Sequence, residues 1–193
     1  QARALGEAAI ALAVRQLGQQ PNRPPWQRLD QSYQGYDIAV EVAVLSGWIN
    51  PNQASVPLLE RLYQVAGGLT PGAAAALAQA TVKIRNEADS EGRSRGFDSP
   101  ADLLRVPGVD YDLYARLAPL LSTAARGASG VNPRAAPLPV LLVLTLGNQA
   151  QAQALYQQRL QPAGPNVSAA PSMDTSSLPP DIVSQALGTR YRL

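Results

Sequence analysis

Cysteine and histidine are both absent from this chain, and lysine occurs once, as Lys83. Without Cys there is neither a disulfide framework nor a thiol nucleophile, and without His there is no imidazole base; losing both also removes the usual zinc ligands. Charge is scarce as well: Lys and Arg number 16 and Asp and Glu 14, a balance of +2, too small to argue for nucleic acid or an anionic membrane as partner. No apolar run approaches the roughly 20 residues that cross a bilayer, and no signal-peptide pattern is visible. The chain opens on Gln1 and runs straight into helix-forming sequence, which predicts a piece trimmed from a longer protein. What is plentiful is apolar side chains, 46% of 193 residues, enough for one ordinary core or two small ones. Pro and Gly are abundant too, 17 and 15, and predict many chain reversals and a long loop.

Residues 1–18 read as a helix, rich in Ala, Leu, Gln, Glu and Arg and free of Pro. Ile10, Val14 and Leu17 form one apolar stripe at 100° per residue, and Leu5 and Leu12 form another on roughly the opposite side. Two stripes fit a helix that packs on its own domain and on a partner; an Ala-rich helix buried in a single core is the plainer alternative. A Pro-rich connection holding Trp26 is expected over residues 21–35. From Tyr36 to Leu45 strict alternation (Tyr36, Ile38, Val40, Val42, Val44 against Asp37, Ala39, Glu41, Ala43, Leu45) predicts a half-buried antiparallel strand. Ser46 and Gly47 end it.

Beyond Gly47 the period changes. Helices punctuated by Gly and Pro are expected at Pro57–Val65, Pro71–Asn86, Ser99–Leu104, Tyr111–Leu121, Pro137–Thr145 and Gln149–Leu160. Ser99 suits an N-cap, Pro100 the first helical position and Asp102 the capping-box position. The region also repeats itself. Residues 49–59 (INPNQASVPLL) align without gaps on 131–141 (VNPRAAPLPVL), sharing Asn, Pro, Ala, Pro and Leu at the same offsets. In each copy a helix, then a Gly (Gly67, Gly147), then an Ala-rich helix ending in Arg85 or Arg159 follows, which predicts a duplicated helical hairpin. Asn50, Pro51, Asn132 and Pro133 are therefore structural turn residues, with the two Asn side chains expected to bond amides of the turn. Between the copies, Val106-Pro107-Gly108-Val109 joins two helices in a helix-hairpin-helix pattern, with Pro107 and Gly108 as its turn. Residues 162–180 read as a flexible Pro- and Ser-rich loop, and Thr189–Leu193 reads as the opening of a strand.

The order of elements predicts an α+β fold: a helix and a small antiparallel sheet built from 1–47 and 181–193, interrupted by an all-α insertion over 48–161. Several segments then resemble one family, in family order. "QARALGEAAIALAVRQL" resembles the end of the long N-terminal helix of pseudopilins. "SGWINPNQA" (46–54), "FDSPADLLRVPGVDYDLYARLAPLLS" (97–122), "GVNPRAAPLPVLLVL" (130–144) and "LGTRYRL" (187–193) resemble segments of the minor pseudopilin K family, general secretion pathway protein K, of the bacterial type II secretion system. No single motif is specific; the ordered set is, and it covers nearly the whole chain.

The resemblance implies a pilin-like fold and a structural role, without catalysis, at the tip of the pseudopilus. It implies minor pseudopilins of the I and J types as partners, and a periplasmic location below an inner-membrane anchor that this chain lacks. It also implies that one side of the first helix packs on the sheet and the other meets neighbouring subunits. Ile10, Val14 and Leu17, the more hydrophobic stripe, are expected on the sheet, and Leu5 and Leu12, with Gln16, on the partners. Members of the family bind calcium in a loop after a Trp-Arg-Asp-x-Asp motif. Here the matching stretch is 84–89 and the loop is short, leaving Glu87, Asp89 and Glu91 as oxygen donors where calcium wants six to eight, so no cofactor is expected. The ending at Leu193 comes early for a complete terminal sheet.

Two other classes remain to be weighed. Paired helix-hairpin-helix units bind the phosphate backbone of DNA elsewhere, but that needs Gly-rich hairpins with free amides and flanking Lys or Arg. Here Pro107 removes an amide, and Asp110 and Asp112 follow the hairpin. A hydrolase working through paired carboxylates would need acids brought together, and the only sequence cluster is Glu87, Asp89 and Glu91, with nothing to serve as base partner.

Overall fold

The structure, a computed structural model, describes residues 2–19, 24–88, 92–125, 129–160, 173–185 and 190–192. Helix α1 (Ala2–Gly18) lies on an antiparallel sheet of β1 (Trp26–Tyr33), β2 (Tyr36–Val44) and β3 (Tyr191–Arg192), in the order β1-β2-β3. The strand expected from alternation is β2. Its partner β1 was not expected, because its apolar residues, Trp26, Leu29 and Tyr33, follow no period of two. What creates it is the turn: Gln34 and Gly35 both take positive φ, 51° and 79°, the conformation of a two-residue type I′ hairpin. That turn sets the register from Tyr33↔Tyr36 up to Trp26↔Ala43. The short β3 then pairs with the far end of β2, at Ala43 and Val44.

Between β2 and β3 the chain builds an all-helical body: α2 (Val56–Arg61), α3 (Pro71–Arg85), α4 (Tyr111–Leu117), α5 (Leu138–Leu144) and α6 (Gln149–Leu160). Side-chain caps just ahead of the expected starts begin three of these helices. Ser55 Oγ accepts from Leu58 N at 3.4 Å, Thr70 Oγ1 from Ala73 N at 3.4 Å, and Asp110 from Leu113 N at 2.7 Å. α2 runs on into a π-helical turn, Leu62–Ala66. The segment after Ser99 is a 3₁₀ helix, Pro100–Arg105, in which Asp102 accepts from the backbone of Asp98 and Ser99 at 2.7 and 2.9 Å. Within 48–161 the described residues form no regular sheet; two of the three isolated bridges, Ile49↔Leu121 and Val131↔Val183, tie repeat starts to later segments.

The larger core is in this helical body, around Leu58, Leu59, Leu62, Tyr63, Leu103, Leu117, Leu141 and Leu144. Met173, Leu178 and Ile182 belong to it as well, so residues 173–180 are packed where a flexible loop was expected. Val131 N donates to Ile182 O at 3.0 Å and Ser184 N to Val131 O at 2.8 Å. The return towards the sheet therefore lies beyond 185 instead of at 181. The rest of the expected loop, 162–172, is outside the described residues. The second core is small: Ala9, Ala13 and Leu17 of α1 against Leu29 of β1 and Val40 and Val42 of β2.

Candidate interaction surfaces

α1 meets its sheet through small residues. Ala9 and Ala13 are fully buried, with Leu17 below them. Alanine lets the helix backbone come close to the sheet, and that closeness lifts the bulkier neighbours out at the sides. Ile10 is 41% and Val14 51% exposed, which corrects their expected place on the sheet; of that stripe only Leu17 is core. Leu5 and Leu12, on the other flank of the alanine stripe, are half-buried. Gln16 is on their side and accepts a hydrogen bond from Gln31 Nε2 of β1 at 2.9 Å. The more exposed apolar flank is thus Ile10 and Val14. The sequence misled here because hydrophobicity ranks transfer energy, whereas a helix lying close on a sheet selects for small size.

The duplicated turns use the same bonds twice. Asn50 Oδ1 accepts from Asn52 N and Asn132 Oδ1 from Arg134 N, both at 3.0 Å. Asn50 also donates through Nδ2 to Ala125 O. Both Asn residues are buried, as are Pro51 and Pro133, so these are supports of the fold. Each copy has its arginine: Arg85 Nη1 donates to Ala54 O at 2.7 Å, and Arg159 Nη1 to Ala136 O at 2.6 Å. Ala54 and Ala136 are equivalent in the alignment. The second turn meets the segment just ahead of the first, since Asn132 N donates to Ser46 O at 2.8 Å. A Cβ on Gly47 would lie 2.3 Å from Ala135 O, so only glycine fits there.

A polar and aromatic junction joins the sheet to the helical body. Arg159 of α6 stands 4.6 Å from the Trp26 ring and 4.5 Å from the Tyr156 ring. The two rings meet edge to face, with centroids 6.3 Å apart. Tyr156 Oη donates to Glu41 of β2 at 2.7 Å. Burial, and then the bond to Glu41 and its charge, push the Tyr156 hydroxyl pKa up. Burial lowers that of Arg159, an effect opposed by Tyr156 and Glu41. Trp48 donates through Nε1 to Pro119 O at 3.1 Å, and Arg192 of β3 stands 5.3 Å from its ring. A cleft of about 130 Å³ opens between Trp26, Glu41, Trp48 and Arg192. The signals that could have found this junction were the two Trp residues and the Arg shared by both repeats.

Two expected sites are plain in structure. Pro107 and Gly108 form the hairpin turn, with Val109 N bonded to Val106 O at 3.0 Å and Gly108 at φ 98°. The helix that follows is capped by the Asp110 carboxylate, which occupies an amide that a phosphate would need. Glu87 is exposed, and its carbonyl accepts from Arg95 N at 2.9 Å. Asp89 and Glu91 lie outside the described residues.

These features define the class: a pilin-like α+β fold, a helix on a small antiparallel sheet, carrying a duplicated helical insertion. No family model matches the chain, and no curated protein matches its sequence. Among solved structures it is similar to the GspK-GspI-GspJ complex of the type 2 secretion system of enterotoxigenic Escherichia coli. The sequence identity there is 19% and the TM-score 0.47, with 84% of this chain and 70% of that chain covered.

Proposed function

We propose that this chain is an assembly subunit, a minor pseudopilin of the K type, that acts on the periplasmic side of the inner membrane at the tip of a type II secretion pseudopilus. Its partners in this reading are minor pseudopilins of the I and J types, and it performs no catalytic step. The ordered set of resembling segments supports the family. The observation that carries the role is on α1: its alanines take the sheet and leave Ile10 and Val14, one turn apart, facing outward. Such a flank is better covered by a neighbouring apolar surface than by water. The flank of half-buried Leu5 and Leu12 with exposed Gln16 is the second candidate face. The DNA-binding reading is disfavoured by the Asp110 cap and by the small net charge.

The test mixes the chain with the other minor pseudopilin ectodomains of the same cell and reads the assembled mass by size-exclusion chromatography with light scattering. Ile10→Arg with Val14→Arg should leave the melting temperature of the isolated chain unchanged and abolish the complex, because an arginine pair in an interface is desolvated without partners. If that variant still assembles while Leu5→Arg with Leu12→Arg does not, the partners use the other flank. Failure of the unaltered chain to associate with any of them would remove the reading altogether.

A further inference from the structure

The two repeats are alike in their turns but not in what covers them. In the first copy Asn52 clamps a passing segment by its backbone: Nδ2 donates to Phe97 O and Oδ1 accepts from Phe97 N, both at 2.7 Å. An amide side chain can do this because it carries a donor and an acceptor side by side. Phe97 is buried in the helical core and is followed by Asp98 and Ser99. The second copy is followed by a similar run, Met173-Asp174-Thr175, in which Met173 is buried in the same core. The residue aligned with Asn52 is Arg134, whose backbone makes the same bond to its own Asn.

Arginine has donors only, so it cannot repeat the clamp. Where the first copy is closed, the second has a cleft of about 140 Å³ whose walls include Asn132, Arg134, Thr175, Val183, Ser184 and Gln185. Among the described residues no acidic side chain lines it. The Arg134 side chain makes no hydrogen bond or ion pair among the described residues, although it is only half-exposed.

We infer that this cleft is a binding site for a carboxylate, with the Arg134 guanidinium as its fork and the Thr175 hydroxyl and Gln185 amide as neighbouring donors. The wall is made of donors or neutral groups, and a planar guanidinium matches a carboxylate through two parallel bonds. The volume suits one acidic side chain, or one chain terminus, of another protein. This goes beyond the pseudopilus reading and does not depend on it, since the cleft belongs to this chain alone.

The experiment follows backbone amide shifts of the ¹⁵N-labelled chain at constant ionic strength, with three small probes. A doubly blocked glutamate offers a side-chain carboxylate, N-acetylglycine a terminal one, and a doubly blocked glutamine neither. Saturable shifts at Arg134, Thr175, Val183, Ser184 and Gln185, with affinity on the order of millimolar, are expected from a carboxylate probe and not from glutamine. Whichever carboxylate binds more tightly identifies the source. Arg134→Asn restores the residue found in the first copy. It should weaken binding by at least about tenfold while leaving the melting temperature unchanged, because the Arg134 side chain makes no bond among the described residues that the fold relies on. Arg134→Lys, which keeps the charge without the fork, should fall between. The inference is overturned by equal shifts with the glutamine probe, by shifts that never saturate, or by undiminished binding in Arg134→Asn.

Discussion

At the scale of single residues, the buried polar groups of the helical body show which parts of the sequence could be read. Tyr63 is fully buried, and its hydroxyl is paired with Thr81 Oγ1 at 2.6 Å, while Thr81 itself donates to Leu77 O. Burial is the larger effect and pushes the Tyr63 pKa from 10 up to about 12; the bond to Thr81 opposes it. The folded state thus holds the proton more tightly than the unfolded chain. Stability from this group is complete below pH 10 and is lost as pH rises from 10 to about 12. The slope approaches about 1.4 kcal/mol per pH unit. Urea denaturation at pH 9 and pH 11.5 should show that fall, and Tyr63→Phe should reduce it; an equal fall in the variant would place the titration elsewhere. The sequence shows Tyr63 and Thr81 as ordinary helical residues. Their pairing depends on how α3 crosses the π-helical turn, which no local pattern specifies.

At the scale of elements, helices with caps were legible and segments held by pairing were not. Pro57 and Pro71 marked two helix starts because proline at a first turn is a signal that any sequence window contains, and the caps Ser55 and Thr70 lie just ahead of them. β1 escaped notice because its stability lies in β2 and in the Gln34-Gly35 turn, and 173–180 because only Met173 and Leu178 of its residues are buried hydrophobics. The duplication was legible, down to Asn50 and Asn132, since each forms its turn within two residues of itself. What lay beyond the local window was the Asn50 bond to Ala125 and the reach of Arg85 and Arg159 back to Ala54 and Ala136. Replacing either Asn by Ala leaves buried backbone groups without partners, at about 1–3 kcal/mol each. For a chain of this size that corresponds to a loss of roughly 2–4 °C per kcal/mol in melting temperature. Calorimetry on Asn50→Ala and Asn132→Ala should show both losses; a neutral result at either position would mean that its turn holds without the side chain.

At the scale of the molecule, two cores of very different size share one chain, and the smaller depends on the larger. The sheet core contains six buried residues, two of them alanines. Fully burying each of the other four contributes about 1.5–3 kcal/mol, while every residue ordered in α1, β1 and β2 costs about 1–2 kcal/mol of backbone entropy. Such a unit does not stand alone, and the junction of Trp26, Glu41, Tyr156 and Arg159 is what docks it. Hydrogen exchange should therefore find the amides of β1 and β2 opening at lower free energy than those of α2, α3 and α5, which surround the larger core. Arg159→Lys sharpens the test. Lysine keeps the charge but loses the guanidinium's contact with the two rings and its fixed reach to Ala136 O. The variant should exchange faster in β1 and β2 while α2 and α3 keep their protection. Both of the chain's tryptophans, Trp26 and Trp48, sit at this junction, so their fluorescence should change at lower urea than the helical signal in the variant. If strands and helices lose protection together in Arg159→Lys, the molecule is a single cooperative unit and the junction is one contact among many.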